Sequence, residues 1–501
     1  MSAQVTPVTS HFGQHRRQSM AKAGMWSVLG SISQAGLQLV GVVVLSRLLP
    51  PGTFGLMAVV IFFQAFLSQF NSEGFSIAMI QKDDLNHELA SNVFWASVVL
   101  GATLCVLMFL IGPLLSRFYN EPVLQQISLC LGLMLLLDAM GSQHLALLRR
   151  NMEFDKLCKI RIYSGSFALV AAVTMAYMGF GIWALVGQMV FGAVTLRLLI
   201  FRMVKWRPGV PTRGVGMRSM LSYGLKASAT NFVNFITRYL QSLVLARFAT
   251  PMEAGFFNRG QVIFQRPMDQ IQMPIGQVSF PSMSAAQNDS ARFEGMLLRV
   301  NALLALALIP IIATFICFGG DIAIFALGPN YFETGRVVPW LAVAFVTDLL
   351  LGIIGLANAS KGRPGRSLWL QLTGLPILIT GIVLSAPHGA VAVAQVFACY
   401  KWLLFFPLII LLYRGLGLNA EVHLRELSRR FSQVVLLVLV GLALRAYVLP
   451  PLGNLAQVLV GMSFAVLCWL VLAGLYMTYS DGRLVLRQLW EQVSARLKWS
   501  R

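Results

Sequence analysis

Arg259 and Arg266 lie seven residues apart in NRGQVIFQRPMDQIQ, so a helix places both on one face, with Asn258, Gln261, Gln265, Asp269 and Gln272 beside them. Upstream, Ser228, Asn231, Asn234, Arg238 and Gln241 recur every three or four residues and form a second polar stripe, with Lys226 just before it. Both stripes sit in stretches apolar enough to enter a membrane. A charge at the centre of a membrane helix costs about 3 kcal/mol on insertion scales, so such side chains face a bundle interior or a wet cavity. Four cations, Lys226, Arg238, Arg259 and Arg266, against one carboxylate, Asp269, point to an anion site. A phosphate would accept forked, charge-assisted hydrogen bonds from the guanidinium groups. A structural alternative stays open, in which the arginines pair with Asp269, snorkel or cap carbonyls.

Two further carboxylates, Asp138 and Asp348, fall well inside apolar segments. A proton or sodium site needs an acid shielded from water, which makes them, with Asp269, candidates for ion coupling; bonding to neighbouring hydroxyls or amides is the alternative. Glu73 in SQFNSEGFS stands where a span turns polar and meets glycine, a candidate hinge. Pro267, Pro274 and Pro281 recur every seven residues, which predicts a bent helix with carbonyls freed toward a cavity.

These residues need a membrane protein around them. Of 501 residues 57% are hydrophobic and 12% charged, far from the balance of a soluble domain. Apolar runs predict an all-α polytopic protein of about 14 transmembrane helices, including spans near 220–246, 255–282, 337–359 and 368–385. The polar, basic leader carries no small-residue cleavage signature, so a retained first helix is expected. With the N-terminus inside, the cytoplasmic segments hold 27 Lys and Arg residues, whereas the outer loops hold only Arg47, Arg117, Arg247 and Arg336. This bias predicts both termini in the cytoplasm and accounts for most of the net charge of +20 without nucleic acid. The six cysteines are scattered, with no Cys-x-x-Cys pair, and read as small core residues.

A repeat appears at an offset of 200 residues. VLSRLLPPGTFG from Val44 lies over VLARFATPMEAG from Val244; upstream, Ser31, Gln34 and Gln38 answer Asn231, Asn234 and Arg238, and downstream Gln69 and Ser72 answer Asp269 and Gln272. Six spans separate the copies, so both have the same orientation and predict two parallel six-helix lobes around a central cavity. The expected organisation is a leader over 1–24, an N-lobe over 25–212, a C-lobe over 213–412, two extra helices over 413–479 and a cytoplasmic amphipathic tail over 480–501. In that tail Leu486, Leu489, Trp490, Val493 and Leu497 oppose Arg483, Arg487, Arg496 and Lys498.

No phosphate-binding GxxxxGK[ST] loop, G-x-S-x-G, H-E-x-x-H or metal-spaced cluster occurs, so neither an enzyme nor a cofactor is expected; an ion gradient would have to drive any transport.

The first lobe, with GFSIAMIQKDDL at 74–85, NVFWASVVLG at 92–101, ALLRRNMEFDKL at 146–157 and FNRGQVI at 257–263, resembles the polysaccharide-transporter branch of the multidrug/oligosaccharidyl-lipid/polysaccharide exporter superfamily. It looks like a Wzx-type flippase over roughly residues 20–410. The resemblance implies movement of undecaprenyl-pyrophosphate-linked oligosaccharide repeat units from the inner to the outer leaflet of a bacterial inner membrane, by alternating access. Implied partners are that lipid-linked oligosaccharide, membrane lipids, and a polysaccharide polymerase with chain-length or export machinery. Two other classes stay open. A multidrug cation exporter of the same superfamily would want an acidic cavity. A membrane-embedded polymerase or glycosyltransferase would want a large loop with paired carboxylates.

Overall fold

The corner between the first two long helices shows how the chain folds back on itself. Pro50 precedes Pro51, which occupies the first position of a helix, where a missing N–H costs nothing and the fixed φ suits the turn. Two hundred residues later Pro251 starts another helix at the same step, with Thr250 as its cap: the Thr250 hydroxyl accepts a hydrogen bond from the Glu253 N–H at 3.2 Å. The two corners are the two copies of the sequence repeat.

The computed structural model describes residues 20–81, 87–151, 153–212, 235–361, 365–416, 420–447 and 454–478. Lys226, Ser228, Asn231, Asn234, most of the leader and the amphipathic tail lie outside them. Helices follow in the order α1 (Met20–Leu48), α2 (Pro51–Gln81), α3 (His87–Tyr119), α4 (Val123–Arg150), α5 (Phe154–Tyr177) and α6 (Ile182–Met203). The described part of α7 covers 235–248. Then come α8 (Pro251–Ala285), α9 (Ser290–Leu327), α10 (Phe332–Leu351), α11 (Ile354–Ser360), α12 (Gly365–Ser385), α13 (Ala390–Leu416), α14 (Ala420–Tyr447) and α15 (Asn454–Thr478). Among the described residues, 11 of the predicted spans are helical, long and apolar enough to cross a membrane. The chain is a multi-pass membrane protein. The three expected spans not among them are instructive: α7 is described only in part, α8 is polar, and α12 has only a short apolar stretch, Leu372–His388.

The chain divides into two compact units, Met1–Tyr239 and Leu240–Arg501. Within the first, α3 packs on α4, α2 on α4, α4 on α6 and α5 on α6; α1 lies against α5. Within the second, α9 packs on α10, α8 on α10, α10 on α13 and α12 on α13. The same four neighbour relations thus occur in each unit. The extra helices α14 and α15 both pack on α9.

Lipid removes most of the hydrophobic drive between helices, so close packing of small residues has to hold them. A Cβ added at Gly101 of α3 would fall 2.5 Å from the Ala139 Cβ of α4. Gly320 of α9 and Gly335 of α10 meet backbone to backbone, each at 3.0 Å from the other's carbonyl oxygen if given a Cβ. Aromatic side chains fill what remains: Phe264 of α8 sets its ring edge-on to Phe315 and Phe345, at 5.3 and 5.4 Å between centroids.

Two expectations change. The predicted interruption near Glu73 is absent, since α2 runs unbroken through Gly74 to Gln81; in a span, intrahelical bonds satisfy backbone groups that an irregular turn would leave bare. The span around Asp348 is instead the broken one. α10 stops at Leu351, Gly352 takes φ 55°, and α11 starts at Ile354. The buried Asn301 of α9 fills the gap: its Oδ1 accepts the Ile353 N–H at 3.1 Å. No side chain fits at Gly352, where a Cβ would run into that oxygen.

After α6 the chain does not leave the bundle at once. Trp206 is buried against Phe94 and His144. The Asn92 amide exchanges two hydrogen bonds with the Thr212 backbone at 2.7 and 2.8 Å, and the Trp95 indole donates to the Gly209 carbonyl at 2.8 Å. Residues 204–212 are therefore strapped onto the start of α3.

Candidate functional site

The anion-site residues predicted from sequence stand on two helices. Arg238, exposed, is on α7 in the first unit; Arg259, Arg266 and Asp269 are on α8 in the second. Arg259 is half-buried and its guanidinium donates to the Asn258 Oδ1 at 3.0 Å, with the buried Tyr331 and Arg266 as its electrostatic neighbours. Arg266 is exposed and Asp269 half-buried. Seven residues of helix separate the two arginines by about 10.5 Å along the axis. α8 continues as a single helix through Pro267, Pro274 and Pro281 and packs on α9, α10, α11 and α13. A 35-residue helix carrying arginines, glutamines and an aspartate thus stands among apolar ones.

Asp138 and Asp348 both face cations. Arg197 of α6, only 8% exposed, donates through one Nη to Asp138 and through Nε to the Leu137 carbonyl at 2.7 Å. Gly141 makes room for it: a Cβ there would lie 2.5 Å from the Arg197 Cδ and Nε. In the second unit Lys401 of α13 reaches Asp348 of α10 at 2.8 and 3.1 Å. Each bridge joins the fourth span of its unit to the sixth. Arg197 and Lys401 both lie inside apolar spans and are not among the residues that the sequence singles out. The signal that could have found them was the repeat itself, with one carboxylate and one cation inside the corresponding spans of both halves.

The Asp138–Arg197 pair forms one wall of an open cavity of about 490 Å³ lined by α1, α4, α5 and α6. Gln34 and Gln38, one helical turn apart on α1, line it with Arg161 and Ser164 of α5 and Gln188 of α6. Arg161 donates to the Gln34 Oε1 at 3.4 Å.

Residues 44–335 match the model of a family described as polysaccharide biosynthesis protein. The lipopolysaccharide biosynthesis protein WzxC of Escherichia coli (strain K12) is 26% identical over 401 residues, covering 79% of this chain and 75% of its own. The succinoglycan biosynthesis transport protein ExoT of Rhizobium meliloti (strain 1021) is 23% identical over 393 residues, covering 76% of this chain and 79% of its own. Among solved structures, the inward closed lipid II flippase MurJ superposes with a TM-score of 0.71 at 12% identity, covering 91% of this chain and 99% of its own. An inward-facing multidrug resistance MATE transporter of the MOP superfamily superposes at 0.58, also at 12% identity, over 77% and 94%. At such identities these likenesses establish the fold.

Proposed function

The chain belongs to the polysaccharide biosynthesis protein family, and from that membership we propose that it is a flippase for undecaprenyl-pyrophosphate-linked oligosaccharide repeat units in exopolysaccharide or lipopolysaccharide assembly. It acts as a transporter, not an enzyme, in a bacterial inner membrane with both termini in the cytoplasm. The observation that carries the reading is α8, a polar helix with Arg259 and Arg266 on it that packs against the apolar helices α9, α10 and α13. A diphosphate and its sugars cannot cross about 30 Å of hydrocarbon unaided. Arg259 and Arg266, with Arg238 and Lys226, hold the diphosphate by charge-assisted hydrogen bonds while the prenyl chain stays in lipid. Access alternates between the two leaflets, driven by an ion gradient, with Asp269, Asp348 and Asp138 as the coupling carboxylates. A polysaccharide polymerase and its chain-length or export machinery receive the product.

The multidrug cation exporter reading fits less well, because it wants an acidic cavity and the expected site sets the single carboxylate Asp269 against Arg238, Arg259 and Arg266. Deletion of the gene tests the proposal. The expected result is an accumulated lipid-linked oligosaccharide, confined to the inner leaflet and identified by mass spectrometry after extraction; a deletion strain with normal surface polysaccharide and no accumulated precursor sinks it.

A further inference from the structure

The cavity of the first unit is not explained by the arginines of α8. Its polar groups are of mixed kind: the amides of Gln34, Gln38 and Gln188 each offer donors and an acceptor, Ser164 offers a hydroxyl, Arg161 and Arg197 donate, and Asp138 accepts. An anion would meet Asp138, and a cation would meet two guanidinium groups. A hydroxyl, which donates and accepts at once, is the group that such a set satisfies. Planar amides and guanidinium groups also match the paired oxygens of neighbouring ring hydroxyls, and Leu37, Leu169, Leu196 and Met189 leave apolar wall for C–H faces.

The room is built in. Gly165 and Ala168 of α5 and Gly192 and Ala193 of α6 are the small residues of the lining, and a Cβ at Gly192 would already stand 3.1 Å from the Ala168 Cβ. The volume lies within the roughly 300–1,000 Å³ range of small-molecule sites. Arg197, buried and anchored to the Leu137 carbonyl, fixes one wall, so its guanidinium is aimed before any ligand arrives.

We propose that this cavity is a saccharide subsite, taking a sugar ring through Gln34, Gln38, Gln188 and Arg161. It rests on the flippase reading and deepens it: the cavity selects head groups by their sugar, apart from the diphosphate. A site built to hydrogen-bond hydroxyls rejects a ligand that lacks them, because its polar groups are then left unpaired.

The test uses the full chain in lipid nanodiscs and two probes, the lipid-linked oligosaccharide extracted from the deletion strain and undecaprenyl diphosphate without sugar. The wild type is expected to bind the first at least tenfold more tightly. Gln34→Leu and Gln188→Leu are each expected to cut that preference to threefold or less. Gln38→Leu, at an exposed position, serves if either variant fails to accumulate. An unchanged preference in the variants overturns the subsite and leaves the flippase reading standing, as does an equal loss of both lipids, which reports a packing defect. Binding of neither probe by the wild type overturns both.

Discussion

Lys401 of α13 places its ammonium 2.8 Å from the nearer Asp348 oxygen, four residues before α10 breaks at Gly352. Removing one partner strands the other charge in a poorly solvating interior. Both side chains keep partial exposure, 25% for Lys401 and 35% for Asp348, which places the cost at about 3 kcal/mol or less. Asp348→Asn and Lys401→Met should each lower the melting temperature of the purified protein, and the double variant should recover most of the loss. Additive losses would show that the pair is not a unit.

The bridge in the other unit depends on a missing side chain. Gly141→Ala drives a methyl group into the Arg197 side chain and should cost about 1–3 kcal/mol by overpacking. Gly36→Ala on α1, where a Cβ meets nothing within 4 Å, should be neutral or stabilising, since alanine is the better helix former. Thermal unfolding in detergent compares the two directly; equal stability of both variants would contradict the packing described for Arg197.

Arg266→Gln should leave protein abundance near normal and abolish transport, with precursor held in the inner leaflet. Arg266→Lys should recover only part, because lysine keeps the charge and loses the planar fork. If Arg266 instead serves to neutralise Asp269, either single change lowers the folded amount and Arg266→Gln with Asp269→Asn restores it. Normal glycan export by well-expressed protein with Arg238, Arg259 and Arg266 all neutralised would end the cationic mechanism.

Reporter fusions after Arg150, Arg213, Lys361 and Arg430 should report cytoplasm, and fusions near Gly52, Glu253 and Asn330 should report periplasm. Equal orientation at Gly52 and Glu253 is what parallel copies of the proline corner require. A single inversion between adjacent sites would break the fourteen-span topology.

Apolar runs and one self-similar corner were enough to read out an all-helical, repeated membrane protein, because hydropathy and helical periodicity are local properties of a chain. The polar stripe of α8 was legible for the same reason: Arg259 and Arg266 share a face by spacing alone. The partners of the buried carboxylates were not. Arg197 lies 59 residues from Asp138, and Lys401 lies 53 from Asp348; only the packing of the fourth span on the sixth brings them within hydrogen-bonding reach. The break at Gly352 was hidden likewise, since the group that makes it tolerable, the Asn301 amide, comes from another helix. Of the cavity of the first unit, only Gln34, Gln38 and Asp138 stood out in the sequence; that they meet with Arg161, Gln188 and Arg197 is a matter of helix packing. Four helices line it, and the small residues that make room for it read in sequence as ordinary membrane glycine and alanine.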